Sequence, residues 1–178
     1  MTYCVGLKLE AGLVMLADTR TNAGVDNVSR FRKMFTWEVP GERALCLLTA
    51  GNLSITQGVL TCIETALARA AAGEEVETLL NAHSTYRAAE LVGEYMGAMQ
   101  EKYRDALSAQ GQAADASIIL GGERSGGQHR LFMIYSPGNF IEATEDTPYL
   151  QIGEHKYGKP ILDRVITPET PLPRALKA

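Results

Sequence analysis

The period of the apolar residues changes twice along this chain, and those two changes restrict what it can fold into. Up to Gly51 the pattern is that of strands. Tyr3, Val5, Leu7 and Leu9 alternate with Cys4, Gly6, Lys8 and Glu10, Ala11-Gly12 supplies a turn, and Leu13 to Ala17 is a short apolar run. Lys33 to Val39 and Arg43 to Ala50, joined by Pro40-Gly41, read as a second hairpin. After Gly51 the period becomes helical. Asn52 is placed to cap a helix bearing Leu53, Val59, Leu60, Ile63, Ala66, Leu67 and Ala70 and ended by Gly73. Ser84 is placed to cap another, with Ala88, Leu91, Val92, Tyr95, Met96, Met99, Tyr103 and Leu107 on one face. Strands resume at Ala116 to Leu120, Arg130 to Tyr135 and Phe140 to Ala143, with a strand end at Leu150 to Gly153. Helices are expected over Tyr157 to Val165, despite Pro160, and from Leu172 onward. Strand blocks, a helix pair and further strand blocks predict an α+β layered sandwich. A doubly wound parallel sheet would alternate strand with helix.

At 178 residues the chain is the size of one domain, residues 1–178, with no internal repeat or linker. Seventeen Lys and Arg against 21 Asp and Glu, a net charge of −4, give no general attraction for phosphate backbones or anionic lipid, so no nucleic-acid partner is expected. Cys4, Cys46 and Cys62 are odd in number and form no CxxC pair, so neither a disulfide framework nor a zinc site is suggested, and a reducing, cytoplasmic setting fits. The amino terminus lacks the basic and apolar regions of a signal peptide, and no apolar run reaches the roughly 18 to 20 residues of a membrane span. His83, His129 and His155 are scattered, so no metal or organic cofactor is implied.

Among many hydroxyls, Thr2 stands apart by position. A small residue after Met1 permits removal of the initiator, which leaves Thr2 with a free α-amine beside its own hydroxyl: a base and a nucleophile in one residue. An α-amine titrates near ~7.7 to 8.0, so a useful fraction is unprotonated at neutral pH. Small residues also follow Met1 in proteins without such chemistry, so other residues must carry the argument. Tyr3 to Leu9 is a strand that could hold the nucleophile in place. Asp18 at the end of the second strand and Lys33 at the start of a later one could meet near it, with Lys33 lowering the pKa of amine and hydroxyl and Asp18 keeping Lys33 charged. Taken separately, Asp18 is a turn-initiating carboxylate and Lys33 a solvated strand charge. Gly51, between an apolar strand and a helix N-terminus, could offer its N–H to a developing oxyanion, although Gly-Asn before a helix is also an ordinary cap.

These residues in this order resemble the proteasome β-type subunits, which are N-terminal nucleophile hydrolases. The stretches TYCVG, DTRTNAG, LLTAGNL, IYSPGNFIEAT and QIGEHKYGKPILDR are similar to those of one bacterial branch, the ancestral β-subunit family Anbu, across essentially the whole chain. The resemblance implies a four-layer αββα sandwich in a homo-oligomeric, proteasome-like particle that cleaves peptide or amide bonds of a peptide or protein substrate. It assigns Thr2 as nucleophile and base, Asp18 and Lys33 to its activation, and the Gly51 N–H to the oxyanion. It places substrate side chains against Thr21, Thr49 and Leu53. Where many proteasome subunits have Gly-Ser-Gly, with the Ser orienting the terminal amine, this chain has Gly153-Glu154-His155, and Glu154 could take over that role through a charge-assisted bond. Measured against the family the chain looks short, ending as a helix begins and before closing strands. Two other readings stand beside a threonine peptidase: an assembly subunit with weak or no catalysis, and a cysteine hydrolase built on Cys4 with His83, His129 or His155.

Overall fold

The computed structural model describes residues 2–22, 28–109, 111 and 113–178, with residues 21, 22, 28 and 29 described in their backbone alone. Ten strands and four helices are found among them. β1 (Tyr3–Leu9) and β2 (Gly12–Ala17) form the first hairpin, and β10 (Tyr149–Gly153) pairs antiparallel with the other side of β1. β5 (Met34–Val39), β6 (Arg43–Gly51), β7 (Ala116–Arg124), β8 (Arg130–Tyr135) and β9 (Phe140–Glu142) form a five-stranded antiparallel meander in that order. A ribbon absent from the sequence expectations, β3 (Arg20–Asn22) with β4 (Val28–Arg30), leads from β2 to Lys33.

The five-stranded sheet is covered on one face by α1 (Leu53–Ala71) and α2 (Thr85–Ala109), and on the other by the three-stranded sheet. The three-stranded sheet is covered in turn by α3 (Gly158–Val165) and the four-residue α4 (Leu172–Ala175). The period-two rule carries this layering. In β6, Leu45 and Leu47 face the helices while Leu48 and Ala50 face the other sheet; in β8, Phe132 and Ile134 face the helices while Leu131 faces the sheet. In β1, Cys4 lies between the sheets, while Val5, Leu7 and Leu9 pack against Leu162, Ile166 and Ala175. The expected αββα sandwich is therefore present.

The helix starts follow the sequence reading. The Asn52 side chain accepts the Ser54 N–H at 2.9 Å, and the Ser84 hydroxyl accepts the Arg87 N–H at 3.0 Å. Pro160 stands in the first turn of α3, where an amide would have no partner within the helix. Between α1 and α2, Leu79 and Ala82 are buried, and the buried Arg43 donates to their carbonyls, at 2.6 Å to Leu79. Burial dominates this fold: each buried Leu, Ile or Phe contributes roughly 1.5–3 kcal/mol, whereas exposed pairs such as Arg69–Glu74 add about 0–1 kcal/mol.

Candidate functional site

The site is built at the end of the sandwich where β1 begins and β2 and β6 end. Asp18 follows β2 directly, and its two oxygens are used separately. Oδ1 accepts the Tyr3 N–H at 3.0 Å and the Lys33 ammonium at 2.7 Å, while Oδ2 accepts the Arg20 N–H at 3.1 Å. Because the Tyr3 N–H belongs to the Thr2–Tyr3 peptide, one carboxylate oxygen joins Lys33 to the backbone of Thr2. The Asp18 N–H returns a bond to the Tyr3 carbonyl at 3.0 Å, so this end of β1 is tied on both of its groups.

Lys33 is 5% exposed and is further bonded to the Arg20 carbonyl. A buried ammonium requires such partners, because its desolvation is not otherwise compensated. Burial pushes the Asp18 carboxyl upward, but the Lys33 hydrogen bond and the Tyr3 amide outweigh it and hold the group below its usual value. Cys4, on the next residue but one from Thr2, is fully buried, and burial drives its thiol up to about 12, with Lys33 pulling down and Asp18 pushing up. Its Sγ donates to the Thr49 carbonyl at 3.7 Å, and none of the three histidines is bonded to it. A neutral, enclosed thiol is poorly suited to act as a nucleophile.

β6 joins this end through Thr49, whose N–H donates to the Lys33 carbonyl at 2.9 Å. Two residues on, Gly51 lies opposite Ala116 of β7, and the Asn52 N–H donates to the Asp115 carbonyl at 2.8 Å. That bond makes Gly51 and Ala116 a non-hydrogen-bonded pair, so the Gly51 N–H turns away from β7, toward the side on which Thr49 meets Lys33. Gly51 has φ +100°, and a Cβ there would lie 2.5 Å from the Asp115 carbonyl oxygen. Only glycine fits both conditions.

On the opposite flank of Thr2, the Glu154 N–H donates to the Thr2 carbonyl at 2.6 Å. Gly153 has φ +86°, and a Cβ on it would be 2.1 Å from the same oxygen. Glu154 thus meets Thr2 through its main chain, while its carboxylate accepts the Lys156 N–H at 3.3 Å. The sequence signal for Gly153 is a glycine that closes an apolar strand.

Of the residues expected from sequence, Asp18 and Lys33 meet beside Thr2, and Gly51 lies at the same end. Thr49 is buried beneath them at 6% exposure, Leu53 is half-buried in the first turn of α1, and Thr21 lies opposite Ser29 in the β3–β4 ribbon, with only its backbone described. A concavity of about 570 Å³ lies at the other end of β1, near Leu9, lined by Lys8, Glu10 and His129. Among the described residues no cluster of His, Cys, Asp and Glu is arranged to hold a metal, and no helix is long and apolar enough to cross a membrane.

No family model and no curated protein matches the chain. Solved structures do. Anbu from Yersinia bercovieri is 44% identical with a TM-score of 0.87, over 98% of this chain and 70% of that one. Anbu from Hyphomicrobium sp. strain MC1 is 48% identical with a TM-score of 0.85, again over 98% and 70%. The subunit in a helical assembly of the Anbu complex from Pseudomonas aeruginosa is 45% identical with a TM-score of 0.88, over 98% and 70%. Identity at this level over nearly the whole sequence, joined to the αββα layering, shows that the chain belongs to the Anbu family of ancestral, proteasome-like β-subunits.

Proposed function

We propose that the protein is a threonine-type N-terminal nucleophile hydrolase of peptide or amide bonds, working as a subunit of a homo-oligomeric, proteasome-like particle in the cytoplasm. The observation that carries this reading is the Asp18 Oδ1 atom, shared between the Lys33 ammonium and the Thr2–Tyr3 peptide. It keeps a positive charge beside residue 2, where that charge favours an unprotonated amine and a more acidic hydroxyl.

With Met1 removed, the α-amine of Thr2 takes the proton of its own hydroxyl, and Oγ attacks the substrate carbonyl carbon. The carbonyl oxygen becomes an oxyanion, met by the Gly51 N–H at the start of α1, where the helix dipole also favours negative charge. Collapse breaks the scissile C–N bond, and the Thr2 ammonium returns its proton to the leaving amine. Water, deprotonated by the same amine, then hydrolyses the acyl-enzyme ester and restores Thr2. Thr21, Thr49 and Leu53 are assigned to the surface that meets substrate side chains, with Thr49 the most enclosed of the described side chains among them at 6% exposure.

The test joins two measurements. Intact-mass analysis is expected to find the chain beginning at Thr2, and Thr2→Ala is expected to lose turnover of acylated peptide amides by at least about a thousandfold. Retained Met1, or a Thr2→Ala variant with unchanged turnover, overturns the reading. A second reading, a subunit that assembles without catalysis, is favoured by one observation: no Ser stands at Gly153-Glu154-His155, and the Glu154 carboxylate is turned to Lys156. Sedimentation above the monomer mass together with an inert Thr2 would establish it. The relative from Pseudomonas aeruginosa forms a helical assembly, which supports self-association here.

A further inference from the structure

Ser136 lies just beyond β8 and is 7% exposed, in a turn whose hydroxyl is directed at β7 instead of at solvent. Its Oγ accepts the Ala116 N–H at 2.6 Å and donates to the Ala116 carbonyl at 3.0 Å. Ala116 is the residue against which Gly51 is set: the two are a non-hydrogen-bonded pair, and a Cβ on Gly51 would lie 2.8 Å from the Ala116 Cα. In such a pair both N–H groups point away from each other's strand. The Gly51 N–H therefore turns to the Lys33 side, and the Ala116 N–H to the Ser136 side.

The β7–β8 ladder ends at Ser117–Tyr135, so the Ala116 amide has no main-chain partner on β8 and depends on the Ser136 hydroxyl. The turn that carries Ser136 is itself held. The Gly138 N–H bonds the Tyr135 carbonyl at 2.8 Å, and Gly138 rests directly on Gly93 of α2. A continuous set of contacts thus runs from α2 through the turn and Ala116 to Gly51.

We propose that Ser136 is a positioning residue for the oxyanion: its hydroxyl fixes Ala116, which fixes the direction of the Gly51 N–H. The inference rests on the hydrolase reading above and adds to it a residue remote from the nucleophile. It makes a prediction that simple destabilisation does not. Steps that build a carbonyl oxyanion depend on Ser136, and steps that need only the Thr2 nucleophile do not.

Two probes on the same peptide separate these cases. A dileucyl β-lactone is opened when Thr2 Oγ bonds to its carbonyl carbon, passing through an oxyanion; the ring C–O bond then breaks and the released alkoxide takes the proton held by the amine. A dileucyl vinyl sulfone takes Oγ on the alkene carbon remote from sulfur, which bears the peptide, and the proton on the carbon beside sulfur, with no carbonyl oxyanion formed. Both rates are followed by intact mass on the oligomeric protein. Ser136→Ala is expected to slow lactone acylation by about tenfold to a hundredfold, the scale set by a displaced oxyanion donor, with the vinyl sulfone rate within about twofold of wild type. Ser136→Thr, which keeps the hydroxyl, is expected to restore the lactone rate, and Ser136→Cys serves in place of Ser136→Ala where that variant does not fold. Rates that fall together, or lactone acylation that is unchanged, overturn the positioning role while leaving Thr2 as the nucleophile. A wild-type chain beginning at Thr2 but inert to both probes overturns the hydrolase reading, and the positioning role with it.

Discussion

Residue types were legible at the site before their meeting was. Asp18, Lys33 and Gly51 could each be singled out from position along the chain, yet spacing alone left Asp18 a turn former and Lys33 a solvated charge. The fold decides otherwise, because it brings residues 15 apart onto one carboxylate oxygen and buries the ammonium. The depressed Asp18 pKa has a pH consequence. A carboxyl whose pKa is lower in the folded chain adds stability above its unfolded value, about pH 3.9, and loses it as pH falls through the folded value. Urea midpoints are therefore expected to favour wild type over Asp18→Asn at neutral pH, with the gap closing below about pH 4. A gap that is constant from pH 7 to about pH 2.5 would contradict this. Gly153 was less legible, since its role comes from an approach to Thr2 that only the β10–β1 pairing creates. Gly153→Ala is expected to displace Thr2 and to reduce its acylation by at least about tenfold, while the far-ultraviolet circular dichroism stays that of wild type.

Elements are most legible in the sequence where their apolar period runs over many residues. Every residue expected on the apolar face of α2 lies in the helix-facing core, whereas in α1 Val59, Leu60, Ile63 and Leu67 do, joined by Ile55 one turn earlier, and Leu53, Ala66 and Ala70 fall outside it. The alternation in β1 is that of a hairpin strand, yet both of its faces are covered. Cys4 and Gly6 take the inner face, and Leu131 and Ile119 close over the space that Gly6 leaves. The β3–β4 ribbon leaves no signal in the sequence, because three-residue strands carry too few positions to show a period. The stretch between the helices has no regular structure to announce it, and its order depends on a distant strand residue. Arg43, 36 positions before Leu79, donates to two carbonyls there. Arg43→Met is expected to speed amide exchange across residues 78–82 by at least about tenfold while α1 and α2 keep their protection. Exchange that is unchanged there would mean that the stretch is held by its apolar side chains alone.

On the scale of the whole molecule, stability resides in the three interfaces between four layers. Phe132 sits at the centre of the helix-facing one, fully buried, edge-on to Phe140 at 5.7 Å and to Tyr86 at 6.1 Å. Phe132→Ala is expected to lower the unfolding free energy by about 3–5 kcal/mol in urea melts, against less than about 1 kcal/mol for an exposed pair such as Arg104–Glu101. Sequence by itself determined the order of strand and helix blocks, and with it the α+β class, because apolar periods of two and 3.6 are local properties of the chain. It also singled out the residue types that N-terminal nucleophile chemistry uses. Only the tertiary structure decided which faces are covered, that one carboxylate oxygen serves both Lys33 and the Thr2 peptide, and that Gly51 leans on Ala116. Each of these is a contact between segments far apart in the chain, set by strand register and layer packing, and none is a property of any one stretch of sequence.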